Sequence, residues 1–182
     1  MKLKHHIKIL STLFLKQLPM SILGLIVVPI AYPFRKNGKL PNWAWSWGND
    51  EDGLYTDNPA YRPSWAKEGS FLDAFYWLAI RNPARNFSVK MGYYGDFVKE
   101  IKIIQPGLID VSPMEILVTM NDGTEYPFKY IFKRVFGEYY LMFKYGWKNW
   151  VFTDNDRPHT LEEIKGRYVQ FVCYPQLRKK FK

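Results

Sequence analysis

Two guanidinium groups and two amides flank a proline in the run Arg81-Asn82-Pro83-Ala84-Arg85-Asn86-Phe87. Planar N–H forks beside a rigid turn suit an anion, so Arg81, Asn82, Arg85 and Asn86 are candidate ligands for a phosphorylated small molecule. The same groups serve equally well as fasteners that tie loop carbonyls together. A second polar cluster, Asn49-Asp50-Glu51-Asp52-Gly53, gathers oxygen ligands of the kind calcium prefers; with Asp57 it makes Asn49, Asp50, Asp52 and Asp57 candidate metal ligands. The EF-hand spacing is not met, because with Asp50 as the first ligand Leu54 and Tyr55 fall where an oxygen ligand and a glycine belong. Turn formation accounts for the same residues, as does pairing with nearby basic groups. Asp154-Asn155-Asp156 would complete a cation site only if the fold brought the two loops together.

Nucleophilic chemistry has little to work with. Histidines occur only at 5, 6 and 159. His5 and His6 lie in a basic amphipathic stretch where water solvates them, although an adjacent pair can hold a metal weakly. His159 follows Pro158 in an expected turn. The lone cysteine, Cys173, excludes an internal disulfide framework and reads as a small core residue of a strand. No glycine-rich phosphate loop, Gly-x-Ser-x-Gly elbow or His-Glu-x-x-His helix is present, and no cofactor is expected. The carboxylate pairs Asp50/Asp52, Asp154/Asp156 and Glu162/Glu163 fall in polar turns or a short helix, where solvation explains them. The expectation is a protein without enzymatic activity.

The elements around these residues can be read from their spacing. Ser70 with Asp73 three residues on marks a helix start, Phe71, Leu72, Phe75, Leu78 and Ala79 form its apolar face, and Asn82 before Pro83 ends it. Upstream, residues 1–48 hold seven basic and no acidic residues, residues 49–177 hold 15 basic against 17 acidic, and the last five residues add four basic ones. The body is therefore nearly neutral and the ends are basic. A nucleic-acid binder spreads positive charge over its folded face, whereas charge flanking an apolar segment suits an anionic membrane surface. Nucleic acid is accordingly disfavoured as a partner and membrane lipid favoured.

From Gln17 to Phe34 eighteen residues carry no charge. As a straight helix they reach ~27 Å against a hydrocarbon core of ~30 Å. Before them Leu3, Ile7, Leu10, Phe14 and Leu18 recur at helical spacing, a basic amphipathic helix that runs into a more apolar one with a bend at Pro19. Four arrangements fit: a spanning helix, a re-entrant or monotopic helix that uses Pro19, Gly24 and Pro29, a buried core helix, and a cleaved leader. The leader lacks a small-x-small site after its apolar run. Lys16, Arg35, Lys36 and Lys39, with Trp43, Trp45 and Trp47 at every second position, are the residues expected at a membrane interface. A short strand that buries one aromatic face is the other reading of the tryptophans.

The order of these features resembles a family of uncharacterised small proteins encoded by tailed bacteriophages. The resemblance rests on the basic apolar start, Val28-Pro29-Ile30-Ala31-Tyr32-Pro33-Phe34, Leu40-Pro41 with nearby Trp, Asn49-Asp50-Glu51-Asp52-Gly53, Arg81 to Phe87, and Gly146-Trp147-Lys148. It covers most of the chain, is concentrated in 25–90 and draws little from 95–135. It implies a phage origin and a host-membrane setting and carries no reaction with it. An asparagine is common at position 85 in that family, which weakens a two-arginine clamp.

Beyond Phe87 the pattern turns to period two. Strands are expected at 87–93, 97–104, 115–120, 125–135, 139–147 and 167–174, with a hairpin at Asn121-Asp122-Gly123-Thr124, a turn at Gly137-Glu138, and one helical turn from Thr160 before Gly166. Short separations require antiparallel pairing. The expected class is α+β: an apolar N-terminal helical membrane segment, then an antiparallel meander or partial barrel with one packed helix. The expected divisions are a membrane-anchoring segment at 1–40, a Trp-rich loop, acidic turn and short helix at 41–86, and a β module with a basic tail at 87–182. In function this predicts a membrane-associated phage accessory protein whose β module binds a phage or host protein, or a ligand, at the host inner membrane. The alternatives are a virion component that contacts other subunits or the host envelope, and a module that binds or hydrolyses a phosphorylated small molecule.

Overall fold

A computed structural model describes residues 1–57, 59, 62–107, 112–148 and 161–179, with side chains described in the last stretch for 162–175 only. The expected features at Asp154-Asn155-Asp156, His159, Thr160 and Lys180 to Lys182 lie outside the described residues. The class is α+β, with a long apolar N-terminal helix and a six-stranded antiparallel sheet. Two compact units result: Ser11–Lys90, and Met91–Lys182 joined by Met1–Leu10.

The N-terminal helical stretch is continuous over Leu3–Phe34. It comprises α1 (Leu3–Thr12), a π-helical turn (Leu13–Gln17), α2 (Leu18–Ala31) and a 3₁₀ turn (Tyr32–Phe34). Pro19 has no N–H to offer the carbonyl of Leu15, and the chain meets this with the wider π turn immediately before it. Within the unit Ser11–Lys90, α2 buries Gly24, Val28 and Ala31. Val28 and Ala31 join Leu40, Ala44, Leu54, Trp77, Leu78 and Ala79 in one core. Gly24 is required there: a Cβ would lie 2.9 Å from Trp47 Cδ1. The Trp47 indole N–H donates to the Met20 carbonyl at 2.7 Å.

The expected helix at 71–81 is present as α3 (Phe71–Phe75) followed by a π-helical stretch (Tyr76–Arg81), and the Ser70 hydroxyl accepts from the Asp73 N–H as its cap. Asp73 does far more than cap. Its carboxylate is fully buried. It accepts from Thr56 Oγ1 at 2.6 Å and from the Gly69 N–H at 3.1 Å, and Arg62 Nε lies 3.4 Å away. One buried charge thus ties the loop before the helix to its start. The tryptophan run Asn42–Trp47 is neither strand nor extended but a 3₁₀ helix that buries Ala44.

The expected strand at 87–93 is corrected. Arg85–Lys90 is a helix, α4, and only Tyr93–Tyr94 pairs, as β1. Local alternation was a poor guide here because Arg85, Asn86 and Ser88 are the buried residues of this segment. Ala84 at φ 51° starts the turn of chain, and the Ser88 hydroxyl donates to the Arg85 carbonyl at 2.7 Å.

In the other unit the strands β2 (Val98–Gln105), β3 (Met114–Met120), β4 (Glu125–Phe136), β5 (Tyr139–Lys148) and β6 (Tyr168–Lys179) form the expected meander, and β1 pairs with β6. The sheet order is β1-β6-β5-β4-β3-β2, an open sheet. A short helix, α5 (Leu161–Ile164), precedes β6 and buries Ile164. Ile116, Val118, Phe128, Tyr130, Trp147, Val169 and Phe171 make up much of its core.

Residues 1–10 belong to this unit. Ile9 is fully buried, and Lys8 Nζ donates to the Glu125 carbonyl at 2.6 Å while it sits 3.9 Å from the Tyr126 ring centroid. His5 and His6, expected in water, are engaged: His5 Nε2 lies 3.0 Å from Glu125 Oε2, and His6 Nδ1 lies 3.3 Å from the Tyr145 hydroxyl. Lys4 also pairs with Glu125. Hydrogen bonds from Lys4 and His5, opposed by partial burial, lower the Glu125 pKa from 4.5 to about 2. A depressed carboxylate pKa contributes stability above its ordinary value and loses it as pH falls toward the folded value. Amide protection factors over Leu3–Leu10, referred to the intrinsic exchange rate at each pH, are therefore expected to fall between pH 4.5 and about 2, and Glu125→Gln should flatten that dependence.

Candidate functional site

The anion-clamp residues and the acidic loop do meet, and they meet by bonding to each other. The Asp50 N–H donates to Asn86 Oδ1 at 3.1 Å, Asn86 Nδ2 donates to the Trp45 carbonyl at 2.9 Å, and the Asn86 N–H donates to the Gly48 carbonyl at 3.2 Å. The Arg85 guanidinium, itself buried, pairs with Glu51. Arg81 closes the π-helical stretch, half-buried and engaged within the protein. Asn82 Nδ2 is buried without a hydrogen-bond partner. The segment thus works as a clasp that holds 45–51 against α4. Asn86→Ala strands a carbonyl and an amide, and is expected to cost about 2 kcal/mol in chemical denaturation.

The calcium candidates are engaged in the same way. Asn49 Oδ1 accepts from the Asp52 N–H at 3.1 Å, and Asn49 Nδ2 donates to Asp52 Oδ2 at 3.0 Å. Asp50 takes the Trp45 indole N–H at 2.8 Å and lies 3.7 Å from Lys39 Nζ. Asp57 is exposed. Among the described residues no three His, Cys, Asp or Glu side chains gather as a metal site.

The residues expected at a membrane interface separate into two groups. Lys16, Arg35, Lys36, Lys39, Trp43 and Trp45 are exposed, and Arg35 stacks 4.0 Å from the Tyr32 ring centroid. Trp47, half-buried against α2, is a packing residue.

A run of apolar side chains remains on the surface. Leu3, Ile7 and Leu10 of α1 are exposed, although they form its regular apolar stripe, while His5 and Ile9 on another side are buried. In the unit Ser11–Lys90 the spacing continues through Phe14, Leu18, Ile22, Ile26 and Ile30, and the last three are 56%, 59% and 56% exposed. An amphipathic helix on a globular protein ordinarily turns such a stripe inward. Only 11% of the most apolar eighteen-residue window of Leu3–Phe34 is buried, and the helix is long and apolar enough to cross a membrane.

A family model described as a family of unknown function, DUF7338, matches residues 1–180. The chain belongs to this family. No curated protein and no solved structure matches it. The DUF7338 match runs through both units, so helix and sheet are alike part of the family's shared chain.

Sequence reasoning located the apolar run but not the side it turns outward. It also missed Asp73 as a hub and Glu125 as the seat of α1. For Asp73 the signal was the neighbouring Thr56, Arg62 and Gly69, all within 17 residues. For Glu125 the partners lie about 120 residues away, beyond the reach of local pattern.

Proposed function

We propose that the protein is a non-enzymatic, membrane-associated accessory protein that binds lipid through its N-terminal helix and presents its open sheet to a protein partner. The observation that carries this reading is the outward stripe Phe14, Leu18, Ile22, Ile26 and Ile30. Contiguous apolar surface of this kind marks an interaction site, and a helix of this composition suits lipid. Exposed Lys16, Arg35, Lys36 and Lys39, with Trp43 and Trp45, supply cationic and aromatic groups of the type found at headgroup level. A binding role is favoured over a catalytic one because Arg85, Asn86, Asn49 and Asp52 spend their hydrogen bonds on the protein itself. The phage resemblance makes the bacterial inner membrane the bilayer we have in mind, and a tailed-phage infection the setting.

Fractionation of expressing cells after a carbonate wash tests the reading. Full-length protein is expected in the membrane pellet. Its recovery in the soluble fraction would end the proposal.

A further inference from the structure

We infer that the protein enters one leaflet from one side and does not cross the bilayer: the outward stripe lies among acyl chains in the membrane plane, with Lys16, Arg35, Lys36 and Lys39 at anionic phospholipid headgroups. This rests on the membrane reading above and adds its sidedness.

The path of the chain carries the inference. Residues 1–10 are built into the sheet unit, by Ile9 in its core and by His5 and Lys8 on Glu125. The chain comes back to the same unit at Met91, whose carbonyl accepts from the Trp147 indole N–H at 2.9 Å, and at Tyr93, which pairs with Val169. Segment Ser11–Lys90 therefore leaves and rejoins one compact unit. Both of its ends lie on one side of any membrane, so its crossings must be even in number. Among the described residues only Leu3–Phe34 is long and apolar enough to cross. A return through 35–90 would drag Asp50, Glu51, Asp52, Arg62, Asp73 and Arg85 through hydrocarbon, where ionisable side chains are heavily penalised. Zero crossings satisfy the count.

Packing along the helix agrees. Gln17 Nε2 donates to the Pro83 carbonyl at 2.9 Å, and Trp47 is fixed to Met20. These contacts hold the clasp, with its Glu51–Arg85 ion pair, beside the first turns of α2. Were α2 to stand across the bilayer, that charged clasp would stand within it. With α2 in the plane, the clasp stays on the aqueous side and the stripe faces the lipid.

Single cysteines at Lys36→Cys and Glu100→Cys, both exposed positions, test this in the full chain with Cys173→Ser as background. A membrane-impermeant maleimide is applied to spheroplasts before and after lysis. The inference expects the two sites to label alike, both only after lysis or both in intact spheroplasts. Labelling from opposite sides, in protein that stays in the carbonate pellet, overturns one-sided insertion and leaves the membrane reading standing. Protein found in the soluble fraction overturns both.

Discussion

Ile22→Asp combined with Ile26→Asp is expected to move the protein from the membrane pellet to the soluble fraction without unfolding it. Both side chains are more than half exposed, so little packing is lost. Exchange of isoleucine for aspartate at the centre of a membrane helix costs about 3 kcal/mol, and less at the interface. Two such exchanges weaken partitioning by on the order of 100-fold or more. Val28→Asp is the contrast, because Val28 is fully buried in the core of the same unit; that variant is expected to unfold rather than to relocate. Flotation with vesicles reads the first effect and thermal unfolding the second. If the double variant still floated with lipid, the stripe would not be the contact surface.

Gly146→Ala is expected to destabilise the sheet unit by about 4 kcal/mol or more, at the far end of what single substitutions do. Gly146 sits in β5 at φ 111°, a conformation that L side chains rarely adopt. A Cβ there would run into the Pro127 carbonyl of the neighbouring strand and approach Ile9 Cδ1 at 3.2 Å. Neither neighbour yields cheaply, since one is backbone and the other holds α1 on the sheet. Denaturant unfolding followed by the far-ultraviolet circular dichroism of the sheet would measure the loss. The group Gly146-Trp147-Lys148 thereby gains a structural reason: the glycine admits α1, the Trp147 ring lies 5.0 Å from Lys8 Nζ, and Lys148 is buried.

Much of the architecture was legible from local signals. The Ser70 cap and the apolar spacing after it placed α3 and the stretch to Arg81, and the Asn121 to Thr124 turn placed the hairpin of β3 and β4. Short connections led to the antiparallel meander. What could not be read locally were choices between partners distant in sequence. The stripe from Leu3 to Leu18 is plain as a periodicity, but nothing nearby tells that His5 and Ile9, rather than the stripe, face the sheet. Likewise the alternation at 87–93 was overridden because Asn86 must reach Gly48, Asp50 and Trp45, which favours the helical α4 over a strand. The clamp residues were identified by type, and the structure shows what two of them grip: Arg85 holds Glu51, and the Asn86 amide holds the Trp45 carbonyl.

The seat of α1 also sets an order of events during synthesis. His5 precedes its partner Glu125 by 120 positions, and at ~5–20 residues per second the ribosome needs roughly 6–24 s to make that difference. For that interval the greasy first helix is outside the tunnel while the strands that will hold it do not yet exist. On the membrane reading proposed above, a bilayer close to the ribosome would be its earliest companion, and the sheet would fasten onto a helix that had already found its surface.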